Sequence, residues 1–184
     1  MSEQRRWILA AGLGAFILGW LATSIGPRVV GRAFPSTASV SIAWQDELRT
    51  LADSAGSGGD VPVAALVIYG DSIIGRGRNT EVSEGDAGGH AEIKALTDAI
   101  RRIGSKTFRS LDRDSLVLLS TYEPCLMCEG AMLEHNVRRA WYLLAKPYGY
   151  WVREDLRLTR ILWSERQKAP ADLQKVLFEK YRRE

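Results

Sequence analysis

Cysteine is nearly missing: the 184 residues contain two, Cys125 and Cys128, three positions apart. One such pair cannot staple a fold of this length, so an apolar core has to carry the stability and both thiols are left for chemistry. A surplus of charge is missing as well. The formal net charge is +3, and Arg5, Arg6, Arg28 and Arg32 against Glu3 account for all of it, so basic and acidic residues balance from Ser39 onward. A neutral domain leaves no strong electrostatic footprint for a polyanion, which argues against a dedicated nucleic-acid binder. There is no internal repeat and no low-complexity block, and the length suits one ordinary globular domain with a short extension.

Charge is wholly absent from "WILAAGLGAFILGWLATSIGP", Trp7 to Pro27, and Arg5 and Arg6 stand directly before it. A run of this length is enough to cross a bilayer core of about 30 Å as a helix. It lacks the polar stripe of a buried amphipathic helix. Residues 1–38 are therefore expected to be a membrane anchor or export signal with a linker, and residues 39–184 the main domain. The small charge asymmetry favours the N-terminus inside, which places the main domain on the non-cytoplasmic, periplasmic side, anchored or exported. "RRWIL" is also similar to a twin-arginine export signal, and Ser36 and Ala38 form a small-residue cleavage site.

What the main domain does contain is a sequence of regular elements. Trp44, Leu48, Leu51 and Ala55 define an amphipathic helix that ends in "GSGGD". "VPVAALVIYG" and "SIIGRGRN" read as a hairpin turning at Gly70 and Asp71. A glycine-rich loop leads into a helix, "HAEIKALTDAIRRIG", stopped by Gly104. "SLVLLSTY" is a buried strand, "PCLMCEGAMLEHN" a helix opened by Pro124, and "RRAWYLL" another strand. This order predicts a layered α/β domain with helices on the faces of a sheet. "KPYGYWVREDLRL" is aromatic and irregular, and "ADLQKVLFEKYRRE" reads as a terminal amphipathic helix.

A CxxC pair serves as a metal clip, a redox dithiol or a disulfide. Cys125 and Cys128, at i and i+3 in the first turn of a helix, direct both sulfurs to one point, and the positive helix end favours thiolate. His90 decides between the readings. It opens the other well-defined helix, again after a strand and a loop, so the two helix N-termini can meet at one edge of the sheet. One His and two Cys are three ligands for zinc, leaving a fourth position for water, the pattern of a catalytic site. Glu92, two residues past His90, supplies a carboxylate to move protons beside that water. A membrane-anchored thiol oxidoreductase is the rival from another class. It leaves "HAE" unexplained and expects an aromatic residue where Pro124 stands. A zinc module without activity has no need of Glu92. His135 reads as a helix C-terminal residue interacting with the dipole, not a ligand.

"HAE" followed by "PCLMC" resembles the signature of the zinc-dependent cytidine and nucleobase deaminase superfamily, HxE with PCxxC. "TYEPCLMCEGAML" is most similar to the branch of tRNA adenosine deaminases and guanine deaminases. The resemblance runs from about Val61 to Leu144. It implies a three-layer α/β/α fold with a central mixed sheet, one zinc per chain on His90, Cys125 and Cys128, and Glu92 as proton shuttle. It also implies a base-contacting role for Asn79, eleven residues before His90, and homo-oligomers. Asp86 falls where an Asp is common, but Ala87 and Gly88 replace the usual Pro and Thr, which suggests a looser loop. The expected activity is hydrolytic deamination, at a C–N bond of a cyclic amidine, of a nucleobase, nucleoside or related aminated heterocycle. An RNA or single-stranded DNA editing deaminase is the alternative. Neutral charge and the expected location favour the small-molecule substrate over nucleic acid.

Overall fold

The computed structural model describes residues 38–147, 149 and 150, together with Gly19, Arg153 and Phe178 as isolated positions. The chain divides into two units, Met1–Asp46 and Glu47–Glu184, and the second holds the sheet. The elements are α1 (Ile42–Ser57), β1 (Ala64–Tyr69), β2 (Ser72–Arg78), α2 (Ala91–Ile103), α3 (Ser105–Ser110), β3 (Leu116–Tyr122), α4 (Leu126–Glu134) and β4 (Arg139–Leu144). The strand–helix–strand order expected from the sequence is present, with α3 as an addition. Gly104, at φ 84, ends α2 and starts this short helix at once. The Trp7–Pro27 segment, apart from Gly19, and the terminal "ADLQKVLFEKYRRE", apart from Phe178, lie outside the described residues. Among the described residues no helix is long and apolar enough to cross a membrane.

The sheet is mixed, in the order β2-β1-β3-β4. β1 runs antiparallel to both β2 and β3, while β3 and β4 are parallel. A parallel neighbour cannot be reached by a tight turn, and α4 is the crossover that brings the chain back. Successive residues of β1 point to opposite faces. Ala65 and Val67 enter the core cluster with Leu116 and Leu118 of β3 and with Ala91 and Ala95 of α2. Leu66, Ile68, Val117 and Leu119, on the opposite face, are buried too. Both central strands therefore read as continuous apolar runs, as strands covered on two faces do.

The distance of α2 from the sheet is set by small residues. Ala91, Ala95 and Ala99, at i, i+4 and i+8, face Gly75 and Gly77 of β2. A Cβ added at Gly77 would fall on the Ala91 carbonyl oxygen and the Ala95 amide nitrogen, and one at Gly75 on the Ala95 carbonyl oxygen. These are backbone atoms, which cannot swing aside. Gly77→Ala is accordingly expected to cost about 3 kcal/mol, the upper end of ordinary overpacking, read as a lowered denaturant midpoint with an unchanged slope. A variant as stable as the parent would mean that α2 is not seated on β2 in this way.

Candidate active site

Two chain reversals build the site. The first leaves the end of β2, where the Asn79 amide donates to the Val63 carbonyl (2.9 Å) and the Thr80 amide to the Gly89 carbonyl (2.8 Å). A Cβ on Gly89 would lie 2.7 Å from the Glu81 nitrogen and 2.8 Å from the Asp86 oxygen, so only glycine lets the loop close on itself there. The next residue, His90, is the N-cap of α2, and Glu92 lies in the first turn. The second reversal leaves the end of β3 through Glu123 and Pro124 into α4. Helix α4 begins one residue after Cys125, not at Pro124 as the sequence suggested. Cys125 is its N-cap, with extended backbone at φ -84 and ψ 170. A proline disfavours helical backbone in the residue before it and lacks an N–H to donate; here it lies outside the helix altogether. Cys128 is the third helical residue.

The two N-termini meet. His90 Nδ1 lies 3.4 Å from Cys125 Sγ and 3.5 Å from Cys128 Sγ, and the sulfurs are 3.5 Å apart. The bond lengths usual for zinc, taken around a tetrahedron, place ligand atoms about 3.6 to 3.8 Å from one another. All three donor atoms lie within 4.8 Å of one another, and both cysteines are free. A borderline-soft cation with two thiolates and an imidazole is the fit this donor set makes. The two thiols differ in acidity. Cys125 is pulled down to about 4, chiefly by the hydrogen bond from Cys128, with its helix amides and His90 adding to the effect. Cys128, fully buried, is pushed up by that same hydrogen bond and by burial.

Glu92 is 4% exposed. Its Oε1 accepts from Ser120 Oγ on β3 at 3.4 Å. Burial raises its carboxyl above the ordinary range, against the opposing effect of helix amide and Cys128 hydrogen bonds. A carboxyl held in this way keeps a proton more readily than one in water, which suits a group that must take one up and pass it on. His90, Glu92, Cys125 and Asn79 border a cavity of about 200 Å³, whose wall also includes Glu81, Glu123, Lys146 and Tyr150.

Asn79 is buried and its Oδ1 accepts the Glu81 amide at 2.9 Å. It thus closes the turn after β2, while its place at the cavity leaves the amide nitrogen to offer a ligand. The loop beyond it is not loose. Asp60 Oδ1 accepts the Val82 and Ser83 amides (2.8 and 3.0 Å), and Asp86 accepts from Gly88 and pairs with Lys94 (2.8 and 3.0 Å). His135 is the C-cap of α4, its ring edge-on to Phe108 and apart from the metal ligands.

Residues 41–144 match the family model of the cytidine and deoxycytidylate deaminase zinc-binding region. The chain belongs to that family. Among curated relatives of this chain, the tRNA-specific adenosine deaminase of Buchnera aphidicola is 35% identical over 96 residues, which is 52% of this chain and 60% of that protein. The tRNA(Ile)-lysidine synthase of Deinococcus radiodurans is 39% identical over 106 residues, 57% of this chain but 17% of that protein. The chain thus spans less than two thirds of the length of either protein. The solved guanine deaminase of Bacillus subtilis, 21% identical with a TM-score of 0.58, covers 75% of this chain and 92% of its own, and shares the α/β fold. Zinc is the metal of the family, and the donor set described above fits it.

Glu123, Lys146 and Glu81 were not singled out in the sequence. Glu123 Oε2 accepts the Lys146 amide at 2.8 Å, and Lys146 Nζ donates to the Pro124 carbonyl at 3.1 Å. These partners are more than twenty residues apart, and no local pattern announces them.

Proposed function

We propose that this chain is a zinc-dependent hydrolytic deaminase of a nucleobase or nucleoside, with His90, Cys125 and Cys128 as metal ligands and Glu92 as the proton carrier. The observation that supports it most is the buried Glu92 carboxyl beside three converging ligand atoms and in front of an open cavity. Zinc bound there supplies Lewis-acid activation of a water molecule. Glu92 would take one proton from that water and pass it to the ring nitrogen as the water oxygen adds to the amino-bearing ring carbon. It would then take the second proton from the new hydroxyl and pass it to the amino group. The C–N bond breaks, ammonia leaves, and the ring keeps a carbonyl in its place. Asn79 holds the base or sugar by a hydrogen bond. Among the described residues, the acidic side chains of Glu81, Glu92 and Glu123 border the cavity against one cation, Lys146, which favours a substrate without phosphate. Burial of both faces of β1 and β3 supports the three-layer arrangement implied by the sequence.

The test is ammonia release from a panel of free bases, nucleosides and unmodified tRNA. Release from a base or nucleoside is expected. Release from tRNA alone would favour the editing alternative, to which the Buchnera relative lends support, and release from none would overturn the proposal. On a verified substrate, Asn79→Ala is expected to lower kcat/KM by at least about tenfold, the worth of one hydrogen bond of about 1.4 kcal/mol, with zinc content unchanged. Unaltered kinetics would confine Asn79 to the turn.

We further propose that Arg5 and Arg6 direct export, with the catalytic domain on the non-cytoplasmic side. Replacing both by lysine keeps the charge, so a plain positive-inside anchor would be unaffected. Fractionation with external protease is expected to find the parent domain exposed and the double variant retained inside. Exposure of both would contradict the twin-arginine route, and protection of the parent would contradict the topology.

A further inference from the structure

His90 has a second neighbour. Its Nδ1 faces the two sulfurs, and its Nε2 lies 3.7 Å from Oε2 of Glu81. The ring therefore lies between the ligand cluster on one side and, just beyond hydrogen-bond distance, a carboxylate on the other, a gap that a small turn of the Glu81 side chain closes. Glu81 does not reach this place by chance of a free side chain. Its amide is held by Asn79 Oδ1 at 2.9 Å, its carbonyl accepts the Asp86 amide at 3.2 Å, and its backbone is packed against Gly89, the residue just before His90. The following two residues are fixed to Asp60. The turn that carries Glu81 and the helix cap that carries His90 are thus one closed unit.

An imidazole that binds a metal through one nitrogen commonly donates its other N–H to a carboxylate, which fixes the tautomer and ring orientation and raises the basicity of the ligating nitrogen. We propose that Glu81 plays this part: its carboxylate accepts Nε2–H of His90 and keeps the Nδ1 lone pair turned toward Cys125 and Cys128. Glu81 is a positioning residue, acting through His90. This rests on the zinc reading of the site. The Glu81 side chain is 49% exposed, so solvent weakens its hold and the expected effect lies at the lower end of the usual range, about tenfold in metal affinity.

The experiment is a zinc dissociation constant, measured by competition with a chromogenic chelator at fixed pH, for the full-length chain in detergent and its Glu81→Ala and Glu81→Gln variants. Glu81→Ala is expected to bind zinc about tenfold more weakly. Glu81→Gln, which keeps an acceptor oxygen without the charge, is expected to fall between it and the parent. Thermal unfolding in saturating zinc should be the same for all three, which separates positioning from loss of the turn. Equal zinc affinity in the parent and Glu81→Ala overturns the proposal, and if KM rises in that variant Glu81 belongs to the substrate instead. A variant that melts early even in saturating zinc also overturns it, by making Glu81 a loop residue. A parent chain that takes up no zinc would overturn the metal reading itself, an outcome distinct from an unaltered variant.

Discussion

Glu92→Gln is expected to keep the fold and the zinc and to lose at least about a hundredfold in kcat, the low end of what general acid–base catalysis contributes. The amide has nearly the shape of the carboxyl it replaces. It can occupy the same space in the first turn of α2, and its oxygen can still accept from Ser120 Oγ. What it cannot do is take a proton and return it. Glu92 is also buried and its carboxyl lies above the ordinary range because of that burial, so an uncharged amide costs less to bury there than a carboxylate and the fold should not suffer. The expected result is therefore a stable, metallated and nearly inactive protein. Turnover equal to the parent's on a verified substrate would remove Glu92 from the mechanism.

Cys128→Ser is expected to empty the metal site. The side chain is fully buried and faces Cys125 and His90 at 3.5 Å. A serine hydroxyl fills nearly the same volume but does not deprotonate in this setting, and zinc is left with one thiolate and one imidazole. Zinc content should fall from one per chain to below about a tenth after dialysis. Because the apoprotein loses the free energy that binding adds to folding, its melting temperature should drop with it. Cys125→Ser should do the same. Zinc retained at one per chain in either variant would exclude that cysteine as a ligand.

Much of this site was legible in the sequence because its chemistry is carried by short local spacings. His90 and Glu92 are two residues apart, Cys125 and Cys128 three apart, and each pair opens a helix with a clear apolar pattern. The hairpin and both central strands were legible for the same reason, as unbroken apolar runs. What escaped depends on contacts between distant parts of the chain. The loop after Asn79 reads as loose because Ala87 and Gly88 offer no restraint, but the restraint comes from Asp60, more than twenty residues earlier, and from the close approach of Gly89 to Glu81. Glu81 itself is an ordinary loop residue until that loop folds over His90. The start of α4 was misplaced by two residues because proline often occupies the first helical position, and here Cys125 takes the cap instead. Helix α3, only six residues long, has no room for a periodic pattern.

The central claim is that this chain deaminates by means of a metal held on His90, Cys125 and Cys128. The most direct test measures zinc content and ammonia release on the same preparation, before chelation, after chelation, and after zinc is restored. The account predicts one zinc per chain, ammonia release that disappears with the metal, and recovery when zinc returns. Ammonia released at the full rate by the stripped protein would contradict it.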